Sequence, residues 1–409
     1  MSEILFIAHR IPFPPDRGDK IRSHHVLRRL ADLAPVHVAT LAEDEYDRAE
    51  EQALAAIAET YCLARRSKPL ALAGLEALAT GKPVSVTAFH SPALDAYVAD
   101  VLASRPISAI YVFSGQMGQY VPAAFGGRIV MDFVDVDSAK FEAYGQNKSG
   151  PRGWIDAREG RELVREEARL AARADLSVLI SDNERDLFVS RLPAGVKADV
   201  RTMGNGLDAA FFDPAAAGTA RELAEMTGPK IVFTGQMDYA PNIEAAERAM
   251  DSIMPLVCKE FPSASFHVVG RNPPERLLAR HGKQGMFVWG RVPDMREWLK
   301  GADLALVPLD IARGVQNKVL EAMAMALPVV LSPGAATGIP ARDGEHFRIG
   351  ETDSELADAV IGLVRSQERA QAMGAAAREW ILAEASWHAA LAPLADWLGF
   401  PGGGLRDAA

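Results

Sequence analysis

The sequence predicts an α/β protein of two doubly wound, Rossmann-like parallel-sheet lobes facing each other across a cleft, and three observations carry that expectation. Short apolar runs alternate with longer amphipathic stretches from end to end, the pattern of βα units feeding a sheet covered on both faces. The runs fall into two sets with a Gly/Asn/Pro-rich segment between them, so two sheets are expected. The chain has 409 residues, enough for two or three domains, and 49% hydrophobic against 24% charged residues excludes the regime of disordered chains.

In the first half the expected strands are 4–8, 36–40, 109–113, 128–133 and 175–181. In the second half they are 230–234, 265–270, 286–290, 303–309, 328–332 and 346–349. Each is an apolar run of strand length bounded by turn residues. Gly204-Asn205-Gly206-Leu207-Asp208 and the stretch 214–228 read as a linker or hinge. The expected domains are therefore 1–204 and 205–385, followed over 386–409 by a terminal helix, a candidate to cross back to the first domain, and a disordered tail. Around 153–174 Arg and Glu interleave at helical spacing, which predicts a helix with a solvated, ion-paired face.

A net charge of −10 disfavours a general nucleic-acid binder. Cys62 and Cys258 form no metal or disulfide framework and read as buried apolar side chains. The first residues lack the basic start and longer apolar core of a signal peptide, and no apolar run approaches the ~20 residues of a membrane span, so a cytoplasmic protein is expected. One internal echo, Phe113-Ser114-Gly115-Gln116-Met117 and Phe233-Thr234-Gly235-Gln236-Met237, is either a chance match of five residues or the mark of equivalent strand exits in two similar lobes.

Three segments carry chemistry. After the first strand, the proline-rich loop containing Gly18, Asp19 and Lys20, with Arg17 and Arg22 beside them, runs into a helix, and glycine with cations at a helix start suits a phosphate. A solvated surface loop is the alternative. Asp132, Asp135 and Asp137 stand at the end of a strand. They can hydrogen-bond a polyol, act as a base or cap the next helix; metal binding is disfavoured because an EF-hand glycine is absent, and no metal is expected. The third segment, 304–330, reads as strand, glycine-containing loop, short helix and proline-started strand. Asn317 and Lys318 would stand at that helix's amino end to meet an anion, with Glu321 one turn on to accept two hydroxyl hydrogen bonds of a vicinal diol.

The 304–330 segment resembles the nucleotide-sugar site of family-4 retaining glycosyltransferases, a family with the two-lobed GT-B fold. Asn205-Gly206-Leu207-Asp208, the stretch 266–271 and the stretch 288–294 support the likeness. Residues 132–140 and 235–242 are similar to the exosortase-associated (PEP-CTERM) exopolysaccharide subgroup. The resemblance implies that Glu321 holds the nucleotide ribose. Arg313 stands where the family's first glutamate is expected, and it would meet a phosphate or a donor-sugar carboxylate instead. Gly235, Gln236, Gly314, Val315 and Asn317 would line the donor site, with Lys318, Arg271 and Arg291 carrying the diphosphate charge. Asn242 and Gln236 occupy the neighbourhood of the family's missing basic pair, and Ala326 replaces a usual glycine.

The implied activity is retaining transfer of a sugar from a nucleotide diphosphate to a hydroxyl acceptor, with no metal or other cofactor. Lys318 and Glu321 would serve the reaction, and Asp132 and Asp135 would orient a sugar. The implied acceptor is a saccharide or lipid-linked saccharide, reached by peripheral contact with the inner membrane through Phe13 and the basic loop 10–29, or by that loop lining the cleft alone. A nucleotide-sugar 2-epimerase, a sugar-phosphate synthase and a non-catalytic nucleotide-sugar-binding protein are the rival readings. A dinucleotide-dependent dehydrogenase is disfavoured because no GxGxxG follows a strand.

Overall fold

A computed structural model of the chain describes residues 2–146, 150–310 and 315–400. Arg313, Gly314 and the expected tail beyond residue 400 lie outside the described residues. Two compact units are present, one formed by residues up to Asn205 together with 390–400, the other by Gly206–Ala389.

The first unit holds seven strands: β1 (Glu3–Ala8), β2 (Val36–Ala42), β3 (Thr60–Arg65), β4 (Ile107–Phe113), β5 (Arg128–Val134), β6 (Leu176–Leu179) and β7 (Val200–Thr202). They pair in parallel in the order β3-β2-β1-β4-β5-β6-β7. The second unit holds β8 (Lys230–Thr234), β9 (Ser265–Val269), β10 (Met286–Val288), β11 (Leu304–Val307), β12 (Val329–Leu331) and β13 (Arg348–Ile349). Their order, β10-β9-β8-β11-β12-β13, repeats the winding of the first sheet, and all pairs are again parallel. Central strands are buried on both faces, which is why Ile4-Leu5-Phe6-Ile7 and Ile231-Val232-Phe233 are continuous apolar runs.

The strands missing from the sequence reading, β3 and β7, are edge strands with partly exposed residues, so neither presents such a run. The helix Pro151–Ala171 has the expected ion-paired face, with Glu162–Arg165 at 2.9 Å and Glu166–Arg169 at 2.6 Å. Both cysteines are free and half-buried.

Two expectations are corrected here. The stretch 214–228 is not a bare linker: Ala220 and Leu223 are buried in the second unit's core, and the Ala220 amide donates to the Glu297 carbonyl at 3.0 Å. The internal echo does not join equivalent exits, because β4 is the first strand past the reversal of its sheet whereas β8 corresponds in winding to β1. The two pentapeptides share a buried phenylalanine at the strand end, Phe113 and Phe233, and a buried methionine after it, Met117 and Met237.

The helix Asn317–Ala324 ends in a Schellman turn: the Leu327 amide donates to the Ala322 carbonyl and the Ala326 amide to the Met323 carbonyl, both at 3.0 Å. Ala326 sits in that turn at φ +53°, where a Cβ is strained. Ala326→Gly is expected to stabilise the protein by about 0.5–1 kcal/mol, the strain relieved less the added unfolded-state entropy, measurable by urea denaturation.

Candidate functional site

The order of the second sheet reverses between β8 and β11, and the loops leaving the carboxyl ends of its strands carry the candidate site. Gly235 leaves β8 and Gly270 leaves β9. A Cβ on Gly270 would stand 1.6 Å from the Gly235 carbonyl oxygen, and one on Gly235 would stand 2.9 Å from Asn242 Nδ2. Glycine at both positions therefore lets the two exits lie against each other. Past β11 comes the helix Asn317–Ala324, whose preceding residue, Gln316, makes no side-chain capping bond to it. The amino end of the helix is left to other partners.

These loops enclose a cavity of about 620 Å³ lined by Gly235, Gln236, Arg271, Arg291, Val315, Asn317, Lys318 and Glu321. Every second-lobe residue expected at the donor site and lying among the described residues is thus at one place. Phe212, Tyr239, Val292 and Met295 supply the apolar part of the wall. A cavity of about 660 Å³ opens at the opposite end of the same sheet, beside Pro229, Asp303 and Pro328. Those residues precede β8, β11 and β12, and none of the expected site residues is there.

Lys318 Nζ donates to Asn242 Oδ1 at 2.6 Å and to Gln316 Oε1 at 3.3 Å, and lies 5.5 Å from the centre of the Phe233 ring. Burial brings its ammonium down to about 8, against the pull of Glu321. Glu321, one turn on, is pushed up by burial against the pull of Lys318. Among the described residues its carboxylate accepts no hydrogen bond, and the Arg271 and Arg291 guanidiniums, both exposed, have no ion-pair or hydrogen-bond partner. Three cations and an unpartnered carboxylate around one cavity suit a ligand with an anionic and a hydroxylated part.

Asn242 is the residue the sequence reading undervalued. It is 5% exposed, accepts from Lys318 and donates to the Gln236 carbonyl at 2.9 Å, so it fixes where the ammonium points. Its position where the family's basic pair is missing was the available signal.

The first unit departs from the expected site. Lys20 is fully buried and donates to Asp47 at 2.6 Å and to the Phe13 carbonyl at 2.8 Å, so it cannot meet a phosphate. Asp19 is paired with Arg10 at 2.6 Å and His9 at 3.3 Å, and hydrogen bonding from His9, with the Arg10 charge, holds it below the usual carboxylate range. Gly18 starts the helix Gly18–Leu33, but a Cβ there would meet nothing within 4 Å, so no close approach demands glycine. Phe13 is 5% exposed and packs edge-on against His24, which removes the apolar contact expected at a membrane.

Asp132 is also corrected. It is fully buried, and its carboxylate accepts from Arg22 Nε at 3.0 Å, Arg22 Nη2 at 3.2 Å, Tyr111 Oη at 2.7 Å and the Val134 amide at 3.2 Å, leaving nothing for a sugar. Asp135 is partly exposed and pairs with Lys140 at 2.7 Å. Capping of the next helix start falls to carboxylates from elsewhere: Glu184 accepts from the Val136 amide and Glu167 from the Ser138 amide, at 2.7 and 2.9 Å.

The family match falls within the second unit. Residues 228–366 match the family described as glycosyl transferases group 1. The alpha-maltose-1-phosphate synthase of Mycolicibacterium smegmatis is 29% identical over 238 residues, 52% of this chain and 60% of the relative. A GDP-mannose-dependent alpha-(1-6)-phosphatidylinositol monomannoside mannosyltransferase of Mycobacterium tuberculosis is 27% identical over 265 residues, 60% of this chain and 66% of the relative. The matches thus span less than two thirds of either relative. Among solved structures, Anabaena HepE in complex with UDP is similar over 98% of this chain and 100% of that one, with a TM-score of 0.56 at 14% identity. Sucrose-phosphate synthase from Thermosynechococcus elongatus is similar over 97% and 98%, with a TM-score of 0.54 at 14% identity. Likeness at such identity speaks for the fold, which is GT-B.

Proposed function

We propose, from a glycosyl transferases group 1 segment carried on a GT-B fold, that this protein moves a sugar from a nucleotide diphosphate to a hydroxyl acceptor with retention of configuration. The observation that carries the reading is the cavity at β8 and β11, where Lys318, Arg271 and Arg291 stand around the amino end of a helix with Glu321 one turn inside. The bond from the anomeric carbon to the diphosphate breaks with its electron pair on the phosphate oxygen. The acceptor oxygen bonds to that carbon, and its proton passes to the departing phosphate.

The charge that develops on the leaving group is met by Lys318, held by Asn242, and by the helix amides, with Arg271 and Arg291 on the rim. Glu321 accepts from the ribose hydroxyls, and Phe212, Tyr239 and Met295 offer apolar surface to the base. The cations take the part a metal would have, so transfer proceeds without one. The acceptor is a saccharide, lipid-linked in exopolysaccharide assembly. That is favoured by the subgroup resemblance of 132–140 and 235–242 and by a relative named for acting on a phosphatidylinositol mannoside.

A second reading, transfer to a sugar phosphate, is favoured by the match to a maltose-1-phosphate synthase. Product analysis with a free sugar phosphate as acceptor separates the two. Thermal shift with UDP-, GDP- and TDP-sugars in EDTA tests the donor site: a donor at ~100 times its dissociation constant is expected to stabilise by about 2.7 kcal/mol. No shift with any of them overturns the donor assignment, and a shift restored only by divalent metal overturns metal independence.

A further inference from the structure

The first unit carries an apolar surface that its own core does not use. The helix Leu70–Thr80 reads Leu-Ala-Leu-Ala-Gly-Leu-Glu-Ala-Leu-Ala-Thr and buries only Ala73 and Ala77. Leu70, Leu72, Leu75 and Leu78 are 67%, 54%, 66% and 56% exposed. Small residues face the protein and large ones face out, the reverse of a helix docked on its own core. At the carboxyl end of this helix lies the start of the helix Pro151–Ala171: Arg158 Nη2 donates to the Ala77 carbonyl at 2.8 Å and to the Lys82 carbonyl at 3.2 Å. One turn before Arg158, on the same face, Trp154 is 57% exposed with Ile155 beside it.

The charges around this surface are mixed, with cations in the majority: on the second helix the half-buried Asp156 follows Ile155. The only carboxylate on the leucine helix, Glu76, is paired with Lys68 at 2.8 Å. Lys82 is exposed after the helix, and Arg161 is exposed one turn past Arg158. Cations thus rim an apolar face in a chain whose net charge is −10.

We propose that this surface seats the protein on an anionic bilayer. The leucines of 70–80 and Trp154 enter the boundary between headgroups and acyl chains, and the exposed Lys82 and Arg161 face lipid phosphates. Among the described residues no helix is long and apolar enough to cross a membrane, so the contact is interfacial. A symmetric pair of chains joined through the same face would set these cations against their own copies, which disfavours a second copy as the occupant.

The test is co-sedimentation of the full chain, without donor, with phosphatidylcholine vesicles containing about a third phosphatidylglycerol and with phosphatidylcholine alone. The anionic vesicles are expected to carry down at least roughly five-fold more protein, and the Leu72→Glu/Leu75→Glu variant and Trp154→Ala are each expected to lose most of that binding. The replaced side chains are exposed, so melting temperature and the donor-induced thermal shift stay at the parent's values. This keeps the outcome separate from that of the donor-site test. Absence of parent binding to anionic vesicles, or undiminished binding by both variants, overturns the proposal. So does a parent dimer in light scattering that the Leu72→Glu/Leu75→Glu variant converts to monomer without change in vesicle binding.

Discussion

Lys318→Ala is expected to weaken binding of the nucleotide-sugar donor by about 2–4 kcal/mol, roughly 30- to 1000-fold in Kd, by isothermal titration calorimetry. The ammonium is mostly removed from water, is aimed by Asn242 at 2.6 Å, and sits at the start of an eight-residue helix, so a diphosphate there would lose its best-placed cation. Glu321→Gln removes the charge from the acceptor proposed for the ribose hydroxyls and is expected to cost about 1–2 kcal/mol. Unchanged affinity in both variants would put the nucleotide elsewhere.

The same lysine sets a pH dependence. Its ammonium is brought down to about 8 in the folded chain, so from pH 8 to its ordinary value it is neutral when folded and charged when unfolded. Burial therefore penalises folding below pH 8, and the penalty fades as pH rises toward that ordinary value. A diphosphate restores the proton, which gives the donor its highest affinity below pH 8. From pH 7 to pH 9 affinity should fall about tenfold, and Lys318→Arg, whose guanidinium stays charged, should flatten the profile. A parent profile that is flat over this range would mean the ammonium does not meet the diphosphate.

Sequence periodicity located the central strands because burial on two faces makes them continuous apolar runs, as in Lys230–Thr234. The edges β3 and β7 are half-exposed and gave no such run. The second-unit site was legible for a local reason. Gly235 and Gly270 directly follow strand ends, Asn317, Lys318 and Glu321 stand on the helix that the connection from β11 leads into, and parallel topology gathers such exits on one side of a sheet. In the first unit, charge content misled. Lys20, Arg22 and Asp132 look like a ligand set in a linear chain, but their partners, Asp47, Tyr111 and Asn205, are supplied from distant segments that only folding brings near. The exposed leucines of 70–80 escaped notice because apolar content marks a helix and not the direction in which it points.

Asp132→Asn is expected to destabilise the first unit by about 3–5 kcal/mol, lowering its melting temperature by roughly 6–20 °C in calorimetry. Arg22, 1% exposed, has Asp132 as its only carboxylate within ion-pair distance among the described residues, and it also donates to the Gly204 carbonyl at 3.2 Å and to Asn205 Oδ1 at 3.1 Å. Burial, with the Asp132 charge beside it, pushes the Tyr111 phenol well above its ordinary value, so it remains a proton donor to the carboxylate. Removing the charge would leave a buried guanidinium with only neutral acceptors and would loosen the segment that closes the first unit at Asn205. The joint change Arg22→Met with Asp132→Leu should recover part of the loss, because neither ion then remains buried. An Asp132→Asn protein that melts like the parent yet no longer transfers sugar would reverse this assignment and return Asp132 to a role at the substrate.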